Sequence, residues 1–255
     1  MTFSVDLNSD LGEGVAATLE DAILACVTSA NVACGVHAGS LETMRATVRR
    51  AVRRGVAVGA HPGLADPAGM GRHEQALAPG TARELVLDQV RALARIAAEE
   101  GARLAHVKPH GALYTMVARD RTPADEVASA VHEVSPALIL VGPAGSALEA
   151  AAADAGVPFA AEVFADRGVR RDGSLVPRSE PGAFVTDAAV AAARVVEMVV
   201  GGRVRAVTGE WLAVRADTVC VHGDTPHALA LTAAVRAALA GAGAEVMAMA
   251  GVLHR

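Results

Sequence analysis

Short β-branched runs alternate with longer Ala-, Leu- and Arg-rich stretches along this chain, and that alternation constrains its fold more than any other feature. The runs are Phe3–Asp10, Asn31–Gly35, Val56–His61, Leu104–Pro109, Ala137–Val141, Pro158–Phe164 and Thr218–His222, with Glu245–Met249 a weaker last one. Between them, Leu19–Ser29, Leu41–Arg54, Thr81–Glu100, Pro123–Glu133, Gly145–Ala155, Asp187–Val200 and Pro226–Ala240 carry helical periodicity. Repetition of strand and helix without successive hairpins specifies parallel βαβ units. Gly55, Gly101, Gly156 and Gly201 follow helical stretches where left-handed caps are expected. One small hairpin is expected over Val204–Arg215, around Thr208-Gly209-Glu210. Seven or eight such units in 255 residues fit a (β/α) barrel better than an open doubly wound sheet. The dinucleotide fingerprint is also missing, because Ala17 stands where Gly12-Glu13-Gly14 would need its third glycine. No linker rich in Pro, Gly or Ser divides residues 1–255, which are read as one barrel domain.

Composition removes several functional classes. With 52% hydrophobic residues, the chain has the apolar content of a packed core rather than of a disordered segment. A net charge of −5 and only six aromatic residues leave neither a basic stripe nor stacking platforms for nucleic acid. Arg194, Glu197 and Arg236 interrupt the longest apolar stretches, so no membrane span is expected. The segment Met1–Asp6 has no basic region leading into an apolar one, which points to a cytoplasmic protein without a signal peptide. Cys26, Cys34 and Cys220 are odd in number and lie among apolar neighbours, as expected of core thiols in a reducing compartment.

The polar residues gather at the ends of the strands. Period-two alternation puts Asp6, Asn8 and Asp10 on one face of the first strand, opposite Phe3, Val5 and Leu7. Asn31 and His37 share a face in the second, His61 closes the third, and His106, Lys108 and His110 alternate through the fourth. The sixth strand runs through Glu162 to Asp166 and Arg167, and the seventh ends His222-Gly223-Asp224. A lone strand-end histidine is commonly a packed core group, and Asp10 before Leu11-Gly12-Glu13 fits a turn former. Ionisable groups after six of seven main strands, several in glycine-rich turns, exceed what independent capping produces. In parallel strands these ends share one mouth, where barrels carry their chemistry.

Lys108 is the only lysine among 23 basic residues. A chain that otherwise uses arginine has placed a compact ammonium between two histidines, a role that a guanidinium does not fill. Tyr114, the only tyrosine, follows four residues after His110 and can either donate a hydrogen bond or pack. His106 and His110 would lie about 13 Å apart along a strand, so they do not form a pair of metal ligands. Asp10, His61 and His110, converging from different strands, form a set suited to a divalent ion. Gly142-Pro143-Ala144-Gly145-Ser146 lacks the lysine of a phosphate-binding loop, and no nucleophile elbow is present. The chemistry therefore rests on carboxylates, imidazoles and Lys108.

Seven stretches resemble the LamB/YcsF family, whose members form the A component of 5-oxoprolinase. They are Asp6–Glu13, Ser29–Gly39, Gly59–Gly63, Gly71-Arg72, His106–Tyr114, Glu162–Arg167 and Cys220–Asp224, in order along nearly the whole chain. Val36, Leu64 and Met70 stand where the family pattern has an aromatic residue, and Ser40 stands in place of an aspartate. The resemblance implies a distorted (β/α) barrel similar to sugar deacetylases and glycoside hydrolases. It also implies ATP-dependent opening of the 5-oxoproline lactam to L-glutamate, together with two partner subunits, B and C; because this chain lacks a phosphate-binding loop, ATP with its Mg²⁺ is expected to be held at least partly by those partners. On that basis Asp10 or His110 is expected to act as general base and Lys108 to stabilise oxyanion or phosphate charge. Arg72 or Arg167 is expected to clamp the substrate carboxylate, while His37, His61 and Asp224 orient these groups or hold Mg²⁺. The catalytic set is then Asp10, His37, Lys108 and His110. Asp6, Asn8, Glu13, Arg72 and Tyr114, with Glu162, Arg167, His222 and Asp224, form the expected substrate-binding set. Two other readings remain open: a stand-alone metal-dependent deacetylase or amidohydrolase, and a non-catalytic subunit that presents substrate to a partner ATPase.

Overall fold

The computed structural model describes residues 3–223 and 227–254, so Asp224 lies outside the described residues. The elements in chain order begin β1 (Ser4–Leu11), α1 (Ala17–Leu24), β2 (Ser29–Ala33), α2 (Leu41–Arg53), β3 (Ala57–His61), α3 (Thr81–Glu99) and β4 (Leu104–Val107). Next come α4 (Gly111–Arg119), α5 (Arg121–Val134), β5 (Ile139–Gly142), α6 (Ala147–Ala155), β6 (Phe159–Phe164) and α7 (Ala188–Val199). The chain then runs through β7 (Arg203–Arg205), β8 (Trp211–Ala213), β9 (Thr218–Cys220), α8 (Ala228–Gly241), β10 (Glu245–Val246) and α9 (Met249–Leu253). Parallel pairing β1-β2-β3-β4-β5-β6-β9, closed by β9 on β1, makes a seven-stranded barrel. The expected hairpin is present as antiparallel β7 and β8.

Helix ends follow sequence rules. Ser40 accepts from the Thr43 amide at the start of α2, and Asp187 accepts from the Ala189 and Val190 amides of α7. Gly55, Gly101 and Gly156 take the expected left-handed conformation after α2, α3 and α6, whereas after α7 it is Gly202, not Gly201, that does so.

The outward faces of the strands, including Val5, Leu7, Val32, Val58, Val107 and Val219, join the inner faces of the helices in the main apolar core. The inward faces differ from the branched apolar layers usual in such barrels. Asp6, Asn8, Asn31, His106, Glu162 and Thr218 line the interior, all buried. Buried polar groups need partners, and these find them across strands. Thr28, Ser29 and Thr218 hydroxyls donate to Asp6, while Asn8 Nδ2 donates to Glu162 Oε1 and Thr218 Oγ1.

Three expectations are corrected. α1 ends at Leu24 rather than Ser29: Thr28 lies in a bend and Ser29 opens β2, and from there both hydroxyls reach Asp6. The last strand stops at Val246; the chain turns into α9, and Met249 packs with Ile139, Val141 and Ala160 as an apolar floor to the barrel. Asp10 is no cap: it lies inside β1, opposite Asn31 of β2. In addition, α4 begins directly after His110, a helix that the sequence pattern does not announce.

Gly59 on β3 permits the interior to close, since a Cβ there would sit 2.1 Å from His106 Nε2. Gly59→Ala is therefore expected to push His106 away from Asn31 and to cost about 1–3 kcal/mol by overpacking. A lowered urea midpoint at unchanged slope is the measurement.

Candidate active site

At the C-terminal ends of the strands, Lys108 is the hub. Its Nζ lies 2.9 Å from Asp10 Oδ1, 3.0 Å from Glu162 Oε1 and 3.1 Å from Cys220 Sγ, and 5.2 Å from the Phe164 ring centroid. Backbone pairing holds it there: the Lys108 amide donates to the Ala60 carbonyl on β3. Burial disfavours the ammonium, but Asp10, Cys220 and Glu162 outweigh it and raise the Lys108 pKa well above its ordinary value. Burial likewise opposes the Asp10 carboxylate, yet His61 and Lys108 hold its pKa well below the usual range. Asp10 Oδ1 also accepts from Asn31 Nδ2 at 2.8 Å, and Asn31 Oδ1 accepts in turn from His106 Nε2 at 2.7 Å. The other Asp10 oxygen is turned toward His61 Nε2, 3.4 Å away.

Three histidines form the next layer. His61 Nδ1 donates to the Lys108 carbonyl at 2.7 Å, and His110 Nε2 donates to the Met70 carbonyl at 2.7 Å. Carbonyls only accept, so each ring has its proton committed there when neutral. The remaining nitrogens, His61 Nε2 and His110 Nδ1, then face each other at 2.9 Å as two lone pairs. Burial and the neighbouring His61 push the His110 pKa down to about 3. Ring planes of His37 and His110 stack at 3.8 Å, and Glu13 Oε1 lies 3.3 Å from His37 Nε2 and 3.2 Å from His110 Nδ1. One ligand atom each from Asp10, His61 and His110 fall within 4.8 Å of one another, the set expected from the sequence.

On the opposite side of Asp10, His222 Nδ1 donates to Asp166, with contacts of 2.9 and 3.0 Å to its two oxygens. Tyr114, on α4, packs edge-on against Phe164, and its buried hydroxyl lies beside the Glu162 carboxylate; burial and that neighbour raise the Tyr114 pKa well above its ordinary value. Arg167 directs Nη2 at the Val176 carbonyl and Nε at the Ala183 carbonyl, with Phe184 under its guanidinium. Those bonds fix the loop between β6 and α7, and Arg72 and Arg178 lie close enough to depress the Arg167 pKa beyond the effect of burial, to about 10. Arg72 is half-buried on the loop between β3 and α3.

Of the candidate residues, Asp10, Glu13, His37, His61, Lys108, His110, Glu162 and His222 converge on the mouth. Asp6 and Asn8 lie deeper, in the hydrogen-bonded interior below them. Asn31, His106, Asp166 and Cys220 join the site although they were not among its expected members. The period-two signal reaches three of them: Asn31 and His106 share the inward face with Asp10 and Lys108, and Asp166 follows Glu162 by four residues. Cys220, read as a core thiol, is indeed buried, with its pKa pushed up by burial, but it lies against Lys108 Nζ.

A sequence profile of the LamB/YcsF family matches residues 5–254. The chain belongs to the LamB/YcsF family. Its fold matches the crystal structure of a lactam utilization protein from Thermus thermophilus at TM-score 0.89 and 46% identity, covering 96% of this chain and 99% of that one. Two deacetylase-type structures share the fold. The T48 deacetylase matches at TM-score 0.53 and 14% identity, over 99% of this chain and 92% of that chain. The Xyl-CE4 domain of a xylanase from the hindgut metagenome of Trinervitermes trinervoides matches at 0.54 and 10%, over 100% and 91%. Among the described residues, no helix is long and apolar enough to cross a membrane.

Proposed function

We propose that this LamB/YcsF chain opens the lactam of 5-oxoproline to L-glutamate as one subunit of an ATP-dependent 5-oxoprolinase. The observation that carries the reading is the likeness to a lactam utilization protein over nearly the whole of both chains, joined to a mouth built around Lys108. An unstrained five-membered lactam is a poor electrophile, and phosphorylation of its carbonyl oxygen by ATP supplies a leaving group. The sequence has no phosphate-binding loop, so ATP with its Mg²⁺ is assigned at least partly to the partner subunits B and C. Asp10, with one oxygen held by Lys108 and Asn31, presents the other to the imidazole side, where it can take a proton from attacking water. Lys108 supplies a fixed positive charge for the developing oxyanion or the phosphoryl group. The substrate carboxylate is assigned to Arg72, on the rim.

The donor set also fits a divalent ion. Two imidazole lone pairs face each other beside a carboxylate oxygen and Glu13, an arrangement that needs a cation or a shared proton between the rings. Asp10, His61 and His110 would hold the ion, and a bound ion would supply Lewis acidity there. This cluster favours the second reading, a metal-dependent amide hydrolase that needs no ATP.

Glutamate release from 5-oxoproline separates the two. The proposal expects turnover only with ATP and both partners; turnover by the chain alone without ATP, lost on chelation, selects the second reading. Within the assembled complex, Asp10→Asn is expected to lower kcat by about 10²–10⁴-fold, the usual range for loss of a general base. Full turnover by that variant would remove Asp10 from the role.

A further inference from the structure

We propose that His222, oriented by Asp166, is the acid that protonates the leaving ring nitrogen of the lactam. The inference rests on the lactam reading and adds to it the side of the site opposite the histidine cluster. Asp166 follows β6 and His222 follows β9, neighbouring strands of the barrel. Asp166 is 3% exposed, and it accepts both the His222 ring Nδ1–H and the His222 backbone amide, the latter at 3.2 Å. The imidazole also stacks on Phe164, with ring centroids 5.5 Å apart and planes 16° apart. Tautomer and ring plane are thereby fixed, leaving Nε2 as the nitrogen available to a ligand in the mouth. A ring nitrogen of His222 lies within 4.8 Å of Asp10 and Cys220, so the dyad borders the same space as the Lys108 hub.

The chemistry requires an acid on this side. An amine does not leave a tetrahedral carbon as an anion, so the ring nitrogen must gain a proton as its bond to carbon breaks. Lys108 Nζ is engaged by Asp10 and Glu162, and His110 Nε2 is committed to the Met70 carbonyl, so neither is directed at the leaving nitrogen. Burial opposes charge on His222, but Asp166 outweighs it and raises its pKa, while Asp10 adds to the rise and Lys108 subtracts from it. In the ring-opening step, a water oxygen bonds to the carbonyl carbon of the phosphorylated lactam and gives a proton to the Asp10 side. The C–N bond breaks, its electron pair goes to nitrogen, and nitrogen takes the proton from His222 Nε2, leaving an acyl phosphate. A second water displaces the phosphate and leaves the glutamate carboxylate. The proton on the Asp10 side returns to His222 through solvent, so the protein groups end as they began.

Steady-state kinetics of the assembled complex and NMR titration of the histidines in the purified chain test this together. In His222→Gln, kcat is expected to fall by about 10²–10⁴-fold with KM little changed, and the alkaline limb of the wild-type pH–kcat profile should disappear. Asp166→Asn should keep the ring in place but lower the His222 midpoint by NMR and shift that limb to lower pH in step. Retained kcat in His222→Gln, or an Asp166→Asn variant whose limb does not follow the His222 midpoint, overturns the proposal. If the wild-type complex releases no glutamate from 5-oxoproline, the lactam reading falls, and the titration still decides the dyad. In that case a His222 midpoint at or below the ordinary histidine value overturns it.

Discussion

Lys108→Met is expected to abolish oxoproline-dependent turnover and to remove about 3–5 kcal/mol of stability at neutral pH, the range for breaking a buried ion pair from one side. Methionine fills the stem's volume, so the loss is electrostatic rather than a cavity. Asp10 and Glu162 would lose the ammonium that lies 2.9 and 3.0 Å from them, while staying buried. The sign of the pH dependence follows. In the wild type, the depressed Asp10 pKa contributes stability that is present above its unfolded value and is lost as pH falls through the folded one. The raised Lys108 pKa contributes stability below its unfolded value of about 10.4 that is lost only as pH rises through the folded one. Between pH 5 and 8 the wild-type pair is therefore constant. In the variant, Asp10 keeps its burial and loses Lys108, so proton uptake relieves it and the deficit narrows as pH falls toward 5. Urea unfolding at pH 7.5 and pH 5 measures the difference; equal deficits at both would show that burial of charge is not the cause. Lys108→Arg is expected to be inactive as well, since Cys220 and Phe164 close the hub around a point charge and leave no plane for a guanidinium.

Much of this site was legible because parallel strands convert a period of two into a common face. Asp6, Asn8 and Asp10 point inward together, and the single lysine stood out against an arginine-rich background. The set Asp10, His61 and His110 emerged from strand ends alone and is brought together as expected. What stayed hidden depends on partners remote in sequence. Nothing local says that the helix must stop short of Thr28-Ser29 until Asp6, more than twenty residues earlier, requires their hydroxyls. Nothing near Met249 says that the barrel floor is open at Ile139, Val141 and Ala160 and needs a plug. α4 escaped because it starts with no linker after the strand-end motif, at Gly111 with φ of 54°, where a Cβ would come within 2.6 Å of the Gly71 carbonyl oxygen. That close approach is what brings the loop bearing Met70 and Gly71 over His110, and it could not be read from spacing.

The purified chain is expected to bind one equivalent of Zn²⁺ or Mn²⁺, and to lose that binding in His61→Ala and His110→Ala. The reason is the confrontation of His61 Nε2 and His110 Nδ1 across 2.9 Å, with both other ring nitrogens tied to carbonyls. Only a proton or a metal ion relieves two facing lone pairs, and His110, held down to about 3, is a poor site for the proton. An ion bound at 100 times its Kd stabilises the fold by about 2.7 kcal/mol, a rise in Tm of roughly 5–10 °C for a domain of this size. Asn31→Ala tests the support beneath: it removes a donor from Asp10 Oδ1 without touching either imidazole. Loss of such a supporting hydrogen bond typically weakens metal affinity by about 10–100-fold. Calorimetry on chelator-treated protein gives the stoichiometry, and thermal unfolding with and without ion gives the shift. If the wild type binds no divalent ion and its Tm does not move, a proton fills the gap between the rings.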